Sequence, residues 1–345
     1  MPFIKAIEQF NSVSIVGMAK NTGKTTCLNY VVGRLWEKGR NIAITSIGVD
    51  GEERDVLYDT PKPRIVLHDG MVFITSEKDY EQREFPAEQL SVSERMTPLG
   101  RLITARAKGS GKVVLSGPSD SIWLKEMIVD LKNYGVELTL VDGALSRMSL
   151  ASPAVTDAMI LCTGAACSSQ LSQVIHKAKF RCRIIGLENL EPFRQEEVAP
   201  LGRGIWSLNK DTSKWNRIGD SVFMVENEPD RMLLENVNTT LAGVTSLYVG
   251  GAVTNPFLNL LSVKRKQPIE LIVRDFTKLF VEPATFDKFT RCGGTIKVIY
   301  KPQLIAVCTN PVSPEGVRMD PVVLREEMEK ALQIPVYDVV YNFIV

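Results

Sequence analysis

Residues 17–25, which read GMAKNTGKT, have the composition of a loop that binds phosphate groups. Gly23, Lys24 and Thr25 match the end of the motif G-x-x-x-x-G-K-[ST], and Gly17 stands one residue before the position of its first glycine. The glycines let the backbone turn so that successive N–H groups face phosphate oxygens. Lys24 offers a positive charge to the β- and γ-phosphates, and the Thr25 hydroxyl is a ligand for Mg²⁺. The motif predicts a site for a nucleoside triphosphate with Mg²⁺.

The segments on either side of this loop have the pattern that such a site requires. A β-branched run at 13–16 predicts a strand before the loop, and residues 25–38 predict a helix after it. The N-terminal end of that helix adds a positive electrostatic potential. We expect four further residues to take part in nucleotide binding: Lys20, Asn21, Thr22 and Thr26. The alternative is an ordinary turn between a strand and a helix.

Two aspartates, Asp142 and Asp50, each follow an apolar strand and are candidates for the acid that a Mg²⁺–triphosphate site needs. A parallel sheet presents its ligands at the carboxyl edge, where both residues are expected. We predict that Asp142 joins Thr25 as a metal ligand. Asp50 would contact the metal or orient the attacking water, which makes Lys24 and Asp50 the candidate catalytic residues. The alternatives are a structural role for Asp142 and a turn before Gly51 for Asp50.

A late apolar run at 304–308 ends in Thr309-Asn310-Pro311 and precedes a helix. The Asn310 amide offers both a donor and an acceptor, as pairing with the edge of adenine requires. The alternative is a turn capped by Asn-Pro. No N-K-x-D guanine signature occurs in the sequence.

Gly250-Gly251 opens a second loop before a helix, but this loop lacks a lysine.

Strand-like and helix-like segments alternate along most of the chain and predict an α/β fold. We expect a mostly parallel sheet flanked by helices, of the P-loop NTPase type, because strand–helix–strand units pair in parallel. Residues 51–110 interrupt the alternation. Apolar runs at 64–67 and 71–75 flank an Asp69-Gly70 turn, which predicts a β-hairpin within an insertion over the nucleotide site.

The predicted domains are a nucleotide-binding core at 1–175, which contains the insertion at 51–110, and a second α/β part at 176–345. The second part is expected to complete the site for the nucleotide or for a partner. Short strands are predicted where this part begins, one of them at 183–187.

The charge balance of the chain argues against nucleic acid as a partner. The 345 residues include 41 basic and 40 acidic side chains, a net charge of +1, whereas nucleic-acid-binding domains usually have a basic face. The short basic run at 264–266 is typical of a solvated turn. No uncharged apolar run approaches the roughly 18 to 20 residues that span a bilayer, so no membrane partner is expected.

The six cysteines are scattered without a C-x-x-C pair, and the chain has two histidines. Buried free thiols in a reducing compartment explain this pattern better than disulfides or zinc. Residues 1–10 carry Lys5 and Glu8 and are not typical of a signal peptide. The expected location is the cytoplasm.

The order of these motifs resembles the branch of P-loop NTPases that includes dethiobiotin synthetase and the relatives of cobyric acid synthase. The similarity rests on the phosphate loop, on the strand that ends at Val141-Asp142-Gly143, and on the strand that ends at Thr309-Asn310-Pro311. In dethiobiotin synthetase an asparagine on a comparable late strand binds adenine. The resemblance implies ATP as the nucleotide and Asn310 as the residue that reads its base.

Three segments, at 141–153, 250–259 and 272–280, are similar to the P-loop subunit of the bacterial reactivating factor for lysine 5,6-aminomutase. That target enzyme depends on adenosylcobalamin and pyridoxal phosphate. The resemblance implies an ATPase that drives the exchange of damaged cobalamin for intact cofactor. It also implies a second reactivase subunit, similar to mismatch-repair ATPases, and the aminomutase itself as partners.

Two functions are compatible with these motifs. In a reactivating ATPase, hydrolysis would change the conformation of loops around Asp50 and at 146–147, and this change would alter the affinity for the target enzyme. In an ATP-dependent ligase or kinase of the dethiobiotin synthetase type, the same site would activate a small metabolite. The second function predicts basic residues near the γ-phosphate, for which Lys20, Arg147 and Lys278 are candidates.

Overall fold

The computed structural model describes residues 1–47, 65–118, 120–144, 156–210, 214–220, 243–262 and 268–340. The chain forms two compact units. Unit 1 comprises Met1–Cys182 together with Pro302–Val345, and unit 2 comprises Arg183–Lys301. The last segment of the chain therefore belongs to unit 1, whereas the predicted division at 175 and 176 placed it in the second part.

The strands of unit 1 are β1 Ser12–Gly17, β2 Ile42–Ser46, β3 Ile65–Leu67, β4 Val72–Ser76, β5 Ala87–Thr97, β6 Gly100–Ala107, β7 Gly111–Val113, β8 Leu138–Ala144, β9 Ala158–Gly164, β18 Gln303–Asn310 and β19 Val336–Tyr337. Those of unit 2 are β10 Glu188–Asn189, β11 Ile205–Asn209, β12 Trp215–Gly219, β13 Val244–Val249, β14 Val253–Thr254, β15 Ile269–Asp275, β16 Leu279–Phe280 and β17 Gly294–Tyr300.

The α-helices in the described part of the chain are α1 Phe3–Ile7, α2 Lys24–Glu37, α3 Glu77–Glu81, α4 Ser121–Asp130, α5 Leu171–Ile185, α6 Pro192–Val198, α7 Asn255–Leu261, α8 Pro283–Arg291 and α9 Pro321–Leu332. Short 3-10 turns cover Leu131–Tyr134, Ala165–Cys167, Ala199–Leu201 and Phe276–Lys278.

Unit 1 is built on a nine-stranded sheet in the order β19-β18-β9-β1-β8-β2-β4-β6-β5. From β19 to β4 every neighbouring pair is parallel. The last two strands, β6 and the edge strand β5, are antiparallel to their neighbours. Every position of β1 and β9 is buried, as expected for central strands covered on both faces. The predicted α/β fold with a large, mostly parallel sheet flanked by helices is confirmed.

Helices cover both faces of this sheet, and the pleat of β2 separates the two hydrophobic layers. Ile42 and Ile44 lie in a cluster that contains the buried face of α2, including Leu28. Ala43, between them in sequence, packs on the opposite face in a cluster with Trp123 of α4. Alternate residues of a strand point to opposite faces, so the two helices sandwich the sheet.

The hairpin predicted at 64–75 is wrong, although its turn is present. Met71 N donates to the His68 carbonyl oxygen at 3.2 Å, and Gly70 has a φ of 83°. The two strands then diverge: β3 pairs antiparallel with β7 in a separate two-stranded sheet, and β4 joins the large sheet between β2 and β6. The hairpin of this region is formed by β5 and β6 instead.

The strand predicted at 183–187 is also wrong, because α5 continues to Ile185. Ile184 and Ile185 are both buried, and a short apolar run of this kind does not by itself distinguish a strand from the last turn of a buried helix.

Unit 2 contains a six-stranded sheet in the order β10-β17-β15-β13-β11-β12. The strands β10, β17, β15 and β13 are parallel to one another, and β11 and β12 are antiparallel. The helices α7 and α8 are the connections between β13, β15 and β17, so unit 2 has the alternation that the sequence predicts for this region.

Within the described residues, no helix combines the length and the apolar character that crossing a bilayer would require.

Two glycines, one within α2 and one just after it, test how backbone conformation alone affects stability, because neither has a neighbouring atom that a new side chain would meet. Gly33 lies inside the helix, Gly39 follows it with a φ of 71°, and a Cβ added at either position would meet no atom within 4 Å. We expect Gly33→Ala to raise the free energy of unfolding by about 0.5–1 kcal/mol, because alanine restricts the unfolded chain. Gly39→Ala should lower it by about 1 kcal/mol, because alanine is strained at positive φ. Urea unfolding followed by circular dichroism measures both, and equal changes would contradict the conformational explanation.

Candidate phosphate-binding site

The predicted phosphate loop lies at the carboxyl end of β1, in the middle of the large sheet of unit 1. Residues 18–23 connect Gly17, the last residue of β1, to Lys24, the first residue of α2. The neighbours of β1 are β8 and β9, and Gly17 is level with Ala144 and Cys162. Met18 N donates to the Cys162 carbonyl oxygen at 2.9 Å, so the loop leaves the sheet along β9.

The path of the loop depends on close contacts within it. The buried Thr22 hydroxyl donates to the Ala19 carbonyl oxygen at 3.0 Å. A Cβ on Gly17 would come within 2.8 Å of that hydroxyl oxygen, so glycine is required where the loop begins. Asn21 and Gly23 have positive φ angles of 59° and 81°. These two left-handed residues turn the chain into the helix although the loop is one residue longer than the motif specifies.

The first turn of α2 offers an anion its backbone N–H groups. The first hydrogen bond of the helix runs from Cys27 N to the Gly23 carbonyl oxygen at 2.9 Å. The N–H groups of the residues before Cys27 have no acceptor within the helix, as at any helix start. No acidic side chain lies in this turn. Together with the helix dipole, these groups form a site suited to a phosphate.

Lys24 and Asp142 form an ion pair beside the loop. Their Nζ and Oδ1 atoms are 2.8 Å apart, and the side chains are 24% and 15% exposed. Asp142 lies near the end of β8, level with Ile15 of β1. Its Oδ1 atom is buried and makes no well-formed hydrogen bond, so the ammonium group compensates its charge through the ion pair. The sequence predicted these two residues at one site, and the structure places them in contact.

Asn310 also contacts the loop, from the far end of β18. Its Nδ2 atom donates to the Asn21 carbonyl oxygen at 3.0 Å. Its Oδ1 atom accepts from Val312 N at 3.2 Å. A Cβ on Gly23 would lie 3.1 Å from the Asn310 Cβ atom, so the side chain packs against the glycine as well. The structure thus places Asn310 beside the part of the loop that would hold phosphate.

The remaining predicted residues are spread around the loop. Lys20 and Thr26 are exposed, and Thr25 is half-buried. Asp50, residues 146–147 and the basic run at 264–266 lie outside the described residues. Their predicted roles therefore stay predictions.

Three of the six cysteines meet beneath the loop, which the sequence did not predict. Cys27, Cys162 and Cys308 are buried, and the Sγ atoms of Cys27 and Cys308 are 3.4 Å apart. Hydrogen bonds from Cys27 and Cys308 lower the pKa of Cys162, and the Lys24 ammonium acts in the same direction. Hydrogen bonding with Cys162 raises the pKa of the other two thiols.

The second glycine loop lies in unit 2 and is packed against its own backbone. Gly250 N donates to the Gly204 carbonyl oxygen at 2.9 Å, and a Cβ on Gly250 would come within 2.0 Å of the Gly202 carbonyl oxygen. Close backbone packing therefore accounts for the first glycine of this pair. Lys278, one of the basic residues expected in a ligase, ends a 3-10 turn of unit 2.

The comparisons with known proteins give no assignment: no family model, no curated protein and no solved structure matches this chain. The chemical interpretation of the site therefore depends on its own residues.

The cysteines provide a test of burial in both units. We expect iodoacetamide at pH 8 to modify the half-buried Cys167 and Cys292 well before Cys27, Cys162 and Cys308, because a buried thiol is inaccessible.

Burial raises the pKa of Cys182 to about 12, so its alkylation should accelerate by about 100-fold from pH 8 to pH 10 as the thiolate fraction rises. Peptide mass mapping measures each site, with the urea-unfolded chain as control. Rapid labelling of the trio in the folded chain would contradict the packing beneath the loop.

Proposed function

We propose that the chain binds ATP with Mg²⁺ at residues 17–25 and hydrolyses it. The observation that carries this proposal is the arrangement at the carboxyl ends of β1 and β8. The N-terminal end of α2 lies there with Lys24 as its first residue, and the Lys24 ammonium is 2.8 Å from the Asp142 carboxylate. A positive helix end and a lysine are complementary to phosphate oxygens, and a neighbouring carboxylate is suited to a metal ion.

The contacts of Lys24 suggest how the site responds to the nucleotide. Without nucleotide, Asp142 neutralises the ammonium group at 2.8 Å. A bound triphosphate carries more negative charge than one carboxylate and would attract Lys24 to its β- and γ-oxygens. Asp142 would then be released to hold Mg²⁺ or a water of its shell. The lysine would thus exchange one anionic partner for another without a buried charge being left alone.

The side chains available fit Mg²⁺ better than a metal held by protein ligands alone. The described residues contain no group of three or more His, Cys, Asp or Glu side chains able to hold a metal ion. Mg²⁺ is typically bound through one or two protein oxygens, the phosphates and water. Thr25 and Asp142 offer two such oxygens, and the metal would neutralise charge on the phosphates. Asp50 remains the candidate for orienting the attacking water.

We further propose that this ATPase serves a reactivating factor for a cobalamin-dependent aminomutase. The support is the sequence resemblance at 141–153, 250–259 and 272–280. Loss of the γ-phosphate would remove contacts to Lys24 and the loop, and the resulting change in conformation can alter the affinity for a partner enzyme. A second reactivase subunit is part of this proposal. The alternative, an ATP-dependent ligase or kinase acting on a small metabolite, would use the same phosphate site.

Lys24→Ala tests the phosphate site directly. We expect ATP hydrolysis to fall by about 100-fold or more, because a charged group that stabilises the transition state is lost. Phosphate release measures the rate, and circular dichroism checks that the fold is retained. Lys38→Ala is the matched control, since Lys38 follows the same helix at its other end and pairs with Glu8. Hydrolysis at the parent rate in Lys24→Ala would refute the proposed site.

Asp142→Ala tests the metal role. We expect the loss of Mg²⁺-dependent turnover with a smaller change in nucleotide affinity, because the substitution also frees Lys24 to bind phosphate. Titrating Mg²⁺ in the hydrolysis assay and ATP in a calorimeter separates the two effects. Asp142→Asn, which keeps the size of the side chain, controls for packing. Turnover that survives both substitutions would move the metal role to Asp50.

The response to partners distinguishes the two functions. A reactivating ATPase should be slow alone and accelerate when the target aminomutase and the second subunit are added. A ligase or kinase should respond to a small substrate without any protein partner. The measurement is the ATP hydrolysis rate of the purified chain with each addition, with Lys24→Ala as the background. Acceleration by a small metabolite alone would contradict the chaperone role.

A further inference from the structure

The Asn310 side chain makes two hydrogen bonds in unit 1, which use one N–H of the amide nitrogen and one lone pair of the amide oxygen. The amide nitrogen donates to the Asn21 carbonyl oxygen at 3.0 Å, and the amide oxygen accepts from Val312 N at 3.2 Å. These two bonds fix the plane of the amide. Rotating the amide toward the edge of a purine would break both bonds.

The Asn310 side chain touches the part of the phosphate loop where the backbone is unusual. Asn21 and Gly23 both have positive φ, which an ordered structure maintains when its surroundings determine it. The Asn310 amide holds the carbonyl of Asn21, and its Cβ atom packs where a side chain on Gly23 would lie, at 3.1 Å. The contact thus spans both left-handed positions.

The position of Asn310 itself is fixed by the neighbouring strand. Asn310 is level with Gly164 of β9, and a Cβ on Gly164 would come within 1.9 Å of the Asn310 carbonyl oxygen. The same strand β9 accepts the hydrogen bond from Met18 N at the start of the loop, at 2.9 Å. Two adjacent strands therefore hold the loop, β9 at its first residue and β18 at its centre.

We propose that Asn310 is a positioning residue that holds the phosphate loop in the conformation that binds phosphate, and that it does not select the base. This inference rests on the proposed nucleotide site. It predicts that Asn310 contributes to the binding of any ligand with a triphosphate group. A base-reading residue would contribute to ATP and leave GTP and inorganic triphosphate unaffected.

The first experiment compares ligands that share the phosphates and differ in the base. Calorimetry with Mg²⁺ would measure the dissociation constants of ATP, GTP and inorganic triphosphate for the parent chain and for Asn310→Ala. We expect all three affinities to fall by a similar factor, roughly 3- to 10-fold, because the substitution removes the hydrogen bond to the loop. Asn310→Leu, which keeps the approximate size of the side chain without adding charge and loses the hydrogen bonds, should show a similar loss. Gln303→Ala, at the exposed start of the same strand, is the matched control and should change nothing.

The outcomes separate this inference from the proposed function. A loss confined to ATP would overturn it and assign Asn310 to the base. Unchanged affinities for all three ligands would also overturn it. If the parent chain binds none of them, the proposed function fails first. Hydrogen exchange of the amides at 18–26 in the nucleotide-free chain is the independent readout, and it should accelerate in Asn310→Ala. Unaltered exchange there would refute the positioning role whatever the chain binds.

Discussion

The organisation of unit 1 around its candidate site depends on the backbone between Gly17 and Lys24. Two left-handed residues, Asn21 and Gly23, turn the chain from a buried strand into the start of a long helix. Each has a low steric cost for this conformation, since asparagine and glycine are the residues that adopt it most readily. The N-terminal end of α2, with Lys24 as its first residue, is thereby brought to the carboxyl edge of the sheet, where Asp142 lies 2.8 Å from the lysine. Without that turn the charges would have no common site.

The ion pair between Lys24 and Asp142 shows how a polar site is tolerated inside a parallel sheet. Both side chains are largely buried, and an unpaired charge there would be costly. Each charge compensates the other at the edge of an otherwise apolar layer. The buried thiols beneath the loop continue that layer with small, weakly polar side chains. The site is therefore polar at the sheet edge and apolar directly behind it.

Much of unit 1 could be predicted from local patterns. The strand before the loop, the helix after it and the apolar strand that ends at Asp142 all have strong periodic signals, and the position of acids at strand ends follows from parallel pairing. Local patterns failed where the partner of a strand decides the structure. The Asp69-Gly70 turn is real, but β3 and β4 pair with strands that are distant in sequence. The end of α5 resembled a strand because its last two residues, Ile184 and Ile185, are β-branched and buried.

The contact between Asn310 and Asn21 was beyond local prediction for a similar reason. The two residues are 289 positions apart, and β18 returns to the large sheet after the whole of unit 2. The resemblance to dethiobiotin synthetase assigned Asn310 to the nucleotide, but sequence alone gives no direction for an amide side chain. The structure supplies that direction through the two hydrogen bonds of the amide.

The return of the chain to unit 1 has a consequence for synthesis on the ribosome. Residues 302–345 complete the large sheet, and they emerge after 183–301 have been made. Until then β9 has an unpaired edge, and such an edge on a nascent chain is prone to join other strands. An early collapse of unit 2 would bring the two pieces of unit 1 closer in space and so favour the pairing of β18 with β9. The loop at 18–23 acquires its contact with β18 only after unit 2 has been synthesised.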